Sequence, residues 1–177
     1  MIKMKRGFTV FELVITVAML VILTAVAFYA FRAVLLTWAG EETRAGVKTD
    51  LYRGIEAMSR QLLQAKAADY LNNDEIRFTD LSDNHYIYYL YNRDDSYPSS
   101  FNREGYQLMR AALSGVVGND LKTGTFSYGA GIVVITDILP PGTSGLSIAG
   151  NILTIDLTAG RGNETIRLRT QVRPRNI

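Results

Sequence analysis

Apolar and polar positions fall into three successive patterns along this chain. From Phe8 to Phe31 the residues are apolar with Glu12 as the one charge, and Leu13–Phe31 is a run of 19 residues without a formal charge. From Val47 to Leu62 the apolar residues Val47, Leu51, Ile55, Met58 and Leu62 are spaced 4, 4, 3 and 4 apart, with Lys48, Asp50, Arg53, Glu56 and Arg60 falling between them. That is one stripe of an amphipathic helix. After residue 70 the chain turns to short runs rich in Tyr, Thr, Ile, Gly and Asn, the signature of strands and turns.

Four regions follow: a short basic segment 1–7, an apolar helix 8–31, an amphipathic helical half 32–70, and a β-rich head 71–177. The apolar run is long enough to span a bilayer, because about 20 helical residues cover the roughly 30 Å hydrocarbon core. Gly40, Gly46 and Gly54 weaken the second half by about 1 kcal/mol each, so a bend or loosening is expected near Gly40–Gly46. A continuous helix over 8–68 would be about 90 Å long. A head of this size cannot bury such a rod, so half of it must meet lipid or other chains.

Six strands are predicted: Glu75–Leu81, His85–Asn92, Tyr106–Leu113, Gly131–Leu139, Ile152–Thr158 and Glu164–Arg173. In the last, Ile166, Leu168 and Val172 should face inward and Arg167, Arg169 and Arg173 outward. One sheet face is expected to pack on the 47–62 stripe and the other to be partly solvated. The expected register pairs Ile155 with Leu168 and Leu157 with Ile166, and sets Asp156 opposite Arg167. The fold class is α+β: a long N-terminal helix packed by its second half on a C-terminal antiparallel sheet.

Composition narrows the chemistry. The 177 residues contain no Cys and one His, His85, which removes disulfides, thiolate chemistry and multi-histidine metal sites. The net charge of +2 comes from 19 basic and 17 acidic residues, and Lys3, Lys5 and Arg6 lie in the first seven positions. Without them the balance is 16 against 17, so the charge does not argue for nucleic-acid binding. Basic residues ahead of the apolar run keep Met1–Gly7 cytoplasmic and send the rest outward.

Glu12 is out of place in an apolar span. An acid deep in a membrane helix costs about 2.5–3.5 kcal/mol on insertion scales, and such residues usually have a partner. No cation lies between Phe8 and Phe31. If the chain is cut after Gly7, the new amine of Phe8 becomes a candidate partner, and between staggered helices it would lie against Glu12 of a neighbour and set their axial register.

The string Lys5-Arg6-Gly7-Phe8-Thr9-Val10-Phe11-Glu12-Leu13 and the apolar helix after it resemble the type IV prepilin signature, the class III leader shared by pilins and type II secretion pseudopilins. The resemblance is close over residues 5–31. It implies cleavage between Gly7 and Phe8 by a membrane prepilin peptidase, N-methylation of Phe8, and a subunit-assembly role for Glu12 with Phe8. It also implies a pilin-like fold and a structural, non-enzymatic function as a filament subunit. Its partners would be other pilins or pseudopilins, an inner-membrane assembly platform with its ATPase, and membrane lipid before assembly. The subunit would sit in the bacterial inner membrane with its head periplasmic or extracellular, and in a filament after assembly. The tail Val172-Arg173-Pro174-Arg175-Asn176 looks like those of minor pilins and J-type pseudopilins. Tyr29 stands where many major pilins have Pro, and without Cys the disulfide of many major pilins cannot form, so the resemblance is to a minor pilin or pseudopilin.

Other readings of these residues fit less well. A secretory signal ending at Ala25-Val26-Ala27 would have an overlong apolar region containing Glu12. A plain single-pass anchor carrying a periplasmic binding or sensor domain explains the length but leaves Glu12 unpaired. Ser82, Asp83 and His85 are close in sequence, but a turn entering a strand accounts for them, and no catalytic constellation is found. The Tyr86, Tyr88, Tyr89 and Tyr91 run should place some rings under the helix. The acidic groups at Asp69–Glu75 and Asp94-Asp95 lack EF-hand spacing and read as polar loops rather than a metal site, and no cofactor is implied. Gly129-Ala130-Gly131 precedes a strand and is no phosphate cradle. The Arg167, Arg169 and Arg173 stripe reads as a solvated strand face; nucleic-acid binding there would be salt-sensitive.

Overall fold

Thr9 starts the helix as its N-cap: the Glu12 backbone N–H donates to Thr9 Oγ1 at 3.3 Å, and Glu12 Oε2 accepts from the Thr9 N–H at 2.9 Å. This reciprocal pair is a capping box, which satisfies two of the N–H groups that a helix start leaves open. The structure, a computed structural model, describes residues 9–72, 74–100, 103, 105–140, 145–162 and 164–175. Helix α1 runs Val10–Leu63, and its hydrogen bonding passes through Gly40, Gly46 and Gly54 without a break, so the expected loosening does not interrupt it. Thr16, Thr24, Thr37 and Thr49 each return their hydroxyl to the carbonyl four residues back, which hides polar groups on an apolar helix. The chain divides into two compact units, Met1–Glu42 and Thr43–Ile177.

In the second unit α1 buries Val47, Leu51, Gly54, Ile55, Met58 and Leu62, the stripe read from the sequence with one glycine added. The helix stops at Leu63, short of the expected 68–70. Gln64 and Ala65 close it with i→i−3 bonds, and the Arg175 N–H caps the Leu63 carbonyl. The Ala-rich stretch beyond has good helix propensity, yet Ala67–Asp69 forms strand β1 because pairing with β2 satisfies its backbone.

Among the described residues the head is one eight-stranded antiparallel sheet. Strands β2 (Glu75–Thr79), β3 (His85–Tyr91), β4 (Tyr106–Ala112), β5 (Ile132–Ile138), β6 (Gly145–Ala149), β7 (Ile152–Arg161) and β8 (Glu164–Val172) follow β1. The order is β1-β2-β3-β4-β5-β7-β6, with β8 also paired to β7. All six predicted strands are present. β1 and β6 were not expected, and β7 is three residues longer, ending at Arg161 rather than Thr158. Leu146 and Ile76 from β6 and β2 join the helix stripe, Tyr88, Leu108, Ile135 and Leu157 in the main core.

The β7–β8 register differs by two residues from the expected one. Leu157 faces Leu168, Ala159 faces Ile166, and Asp156 faces Arg169. Arg161 pairs with Glu164, so the hairpin turns over two residues, with Gly162 at φ +64°, rather than over four. A slip of two keeps every side chain on its face, so the inward and outward assignment of β8 stands.

The second sheet face is partly solvated, as expected: the outward residues of β8 are exposed, while β3 and β4 are covered. Ile87, Tyr89, Met109, Ala111, Leu113 and Leu121 form a smaller core, covered by the segment 113–130 with Phe126 and Tyr128. Arg77 pins that cover: its Nη1 donates to the carbonyls of Leu121, Lys122 and Gly124 at 3.1, 3.3 and 2.7 Å.

Candidate functional site

From residue 9 to residue 39 every side chain of α1 is exposed. This includes every large apolar one, from Val10 and Phe11 through Leu23 and Phe28 to Trp38. Leaving one such side chain in water forgoes roughly 1.5–3 kcal/mol. Summed over this surface, the forgone energy exceeds the roughly 5–15 kcal/mol that holds a typical domain together. The helix is long and apolar enough to cross a bilayer.

Glu12 sits at the start of this surface. Its Oε2 accepts from the Thr9 N–H at 2.9 Å and from Thr9 Oγ1 at 3.0 Å. The acid that looked unpaired in the sequence therefore has a role within its own helix, and the Thr-x-x-Glu spacing is the signal that predicts it. Among the described residues Oε1 has no hydrogen bond. The other site residues expected from the sequence, Lys3, Lys5, Arg6, Gly7 and Phe8, lie outside the described residues.

The secondary candidates take structural places. Thr79 Oγ1 lies 3.0 Å from His85 Nδ1, Asp83 pairs with Lys66 at 2.6 Å, and the Ser82 N–H donates to Asp80, so no relay links Ser82, Asp83 and His85. Tyr88 lies under the helix and donates to Gln61 Oε1 at 2.7 Å, with burial pushing its phenol up to about 12. Tyr89 and Tyr91 face the second core with Tyr128.

The acidic loops are held by donors rather than arranged as a cage. Asp95 accepts from Tyr106 OH, Ser99 Oγ, and the N–H groups of Ser96 and Ser100. Desolvation opposes its charge, but these hydrogen bonds together hold its carboxyl well below the usual range. Glu75, fully buried, pairs with Arg77 Nε at 2.8 Å and receives a short hydrogen bond from Tyr97 OH. Among the described residues no group of three or more His, Asp or Glu is placed to hold a metal ion.

The arginine stripe on β8 is partly neutralised. Arg167 binds Asp156 through two bonds of 2.8 and 2.7 Å, and Arg169 Nε approaches the same carboxylate at 3.9 Å. The predicted Asp156–Arg167 pair thus forms diagonally, across a register in which the two are not opposite. Its hydrogen bonds from Arg167 keep the Asp156 carboxyl below its ordinary value.

Searches against family models, curated proteins and solved structures find no match to this chain.

Proposed function

We propose that this chain is a structural subunit of a type IV pilus or type II secretion-like filament, of the minor pilin or pseudopilin kind. The observation that carries the reading is the exposed apolar segment of α1 headed by Glu12, followed along the chain by an amphipathic half that packs on an antiparallel sheet. Before assembly lipid covers residues 8–31. After cleavage between Gly7 and Phe8 by a prepilin peptidase, sister helices take the place of lipid. Oε1 of Glu12 then meets the Phe8 amine of a neighbouring subunit, while an inner-membrane platform and its ATPase supply the work of extraction. The head stays on the periplasmic or extracellular side and selects partners.

Mass spectrometry of the mature N-terminus in the native host tests this. A chain starting at N-methylated Phe8 supports it; an intact Met1, or a start at Phe28, overturns it.

A second reading has its own observation. The Thr9–Glu12 capping box gives the acid a purpose without any partner chain, as in a single-pass anchor carrying a binding or sensor domain. An uncleaved, unmethylated and monomeric membrane form is its expected signature.

A further inference from the structure

We propose that the cavity between Tyr86, Arg110 and the start of β5 is a binding site for a carboxylate carried on an apolar body. Arg110, half-buried on β4, lays its guanidinium over the Tyr86 ring with Cζ 4.1 Å from the centroid. Stacking of this kind fixes the plane of the fork. Among the described residues the Arg110 side chain makes no hydrogen bond and no ion pair, and its Nε is buried without an acceptor. Other arginines of the head, Arg77, Arg161 and Arg167, each hold a carboxylate. The Asp80 carboxylate is near enough to feel this charge but forms no ion pair with it, so an oriented cation remains available to a ligand.

The cavity beside it measures about 560 Å³ and is lined by Tyr86, Arg110, Ala111, Phe126, Gly131 and Ile132 among others, with no acidic side chain. That volume lies in the range of small-ligand pockets. Its charge and walls define the ligand: one anion that accepts two parallel N–H bonds, attached to apolar surface that meets Phe126 and Ile132. A carboxylate fits that geometry. The wall is fixed by a close backbone approach, since a Cβ on Gly131 would come 2.4 Å from the Arg110 carbonyl oxygen. A smaller cavity of about 330 Å³ shares Tyr86 and Arg110 but also contains Asp80. The Asp80 carboxylate would repel an anion there, which assigns the ligand to the larger space.

The carboxylate could belong to a free small acid or to the end of a polypeptide, and the test separates them. The full chain in detergent micelles, labelled with nitrogen-15, is titrated with N-acetylleucine, with N-acetylleucinamide, and with an acetylated tetrapeptide ending in leucine with a free carboxyl. Saturable shifts at Ala111, Gly131 and Ile132 are expected with the two acids and not with the amide. Tighter binding of the tetrapeptide assigns a polypeptide terminus; equal binding assigns a small acid. Arg110→Gln and Arg110→Lys should each weaken binding about tenfold or more, since both lose the paired donors. The lysine variant keeps the charge and serves if the glutamine variant fails to fold. Equal binding of the amide, absence of saturable shifts, or unchanged affinity in a folded Arg110→Lys chain overturns the assignment.

Discussion

Gly54 lies against Ile135: a Cβ built on Gly54 would come 2.1 Å from Cγ1 of Ile135 and 2.7 Å from its Cδ1. The glycine therefore sets how closely α1 approaches β5, and its cost in helix propensity is offset by that approach. Gly54→Ala gains up to about 1 kcal/mol of propensity but forces an overpacking cost of about 1–3 kcal/mol. A net loss of about 1 kcal/mol is expected by urea unfolding, and a larger one for Gly54→Leu. Gly46 has nothing within 4 Å of a built Cβ, so Gly46→Ala should raise stability. Equal effects at the two glycines would contradict this account.

Arg77 and Glu75 are buried together, with side chains 3% and 0% exposed. Removing the guanidinium leaves the Glu75 charge inside without its cation and strips the donor from three carbonyls of the covering segment. Breaking a buried pair in this way costs about 3–5 kcal/mol. Arg77→Met should lower the urea midpoint by a corresponding amount and speed hydrogen exchange in residues 113–130 more than along 47–62. Glu75→Gln combined with Arg77→Met should cost less than the sum of the two single changes. Additive losses would mean the two side chains act separately.

Much of this architecture was legible because it rests on periodicity. The 47–62 stripe, six strands and the alternation of Ile166, Arg167, Leu168 and Arg169 follow from spacings of 3.6 and 2. What escaped depends on contacts distant in sequence. Gly54 read as a weakness because only Ile135, far along the chain, explains it. β6 hid in a Gly/Ser-rich stretch, although Gly150-Asn151 is a hairpin signal, with Gly150 at φ +59°. The β7–β8 register turned on whether the loop held four residues or two, which alternation alone does not decide. Arg77 and Arg110 look alike in the sequence; one spans three carbonyls and a carboxylate, the other stacks on a tyrosine with its donors unused. At the N-terminus the Thr9-x-x-Glu12 spacing is a capping signal, but an acid in an apolar span points equally to a partner outside the helix.

Asp74 is 1% exposed, and its Oδ1 has no hydrogen bond among the described residues, while Oδ2 accepts from the Ser99 N–H at 2.7 Å. Desolvation raises its carboxyl above the usual range, and the neighbouring Glu75 and Asp95 add to this. A raised folded value in an acid contributes stability below the unfolded value, about 3.9, which is lost as pH rises through the folded one. Asp74→Asn keeps an acceptor for Ser99 and supplies a donor where Oδ1 has none, so it should stabilise the protein by about 1 kcal/mol at pH 7. The gain should vanish below about pH 4. Asp95 and Asp156, both depressed, act oppositely: their contribution is present above about pH 4 and falls away in acid. Urea unfolding of both chains between pH 3 and pH 8 checks the signs, and a gain from Asp74→Asn that persisted at pH 3 would rule out this origin.

Glu12 carries two roles that substitution can separate, because glutamine retains one and loses the other. In the capping box the side chain needs only an acceptor for the Thr9 N–H and hydroxyl, and glutamine serves there as well as glutamate. In an apolar bundle the partner amine needs a negative charge, which glutamine lacks. Valine loses both. If the acid exists to cap its helix, Glu12→Gln should assemble like the parent chain and Glu12→Val should alone be impaired, by the loss of about 1 kcal/mol of helix-start stability. If it exists to receive the Phe8 amine of a neighbour, both variants should insert into the membrane normally and both should fail to enter filaments. Quantifying each variant in membrane and in sheared-filament fractions separates the outcomes. The proposed filament role requires that glutamine behave like valine; a Glu12→Gln chain recovered in filaments at parental levels would reduce Glu12 to the cap seen within its own helix.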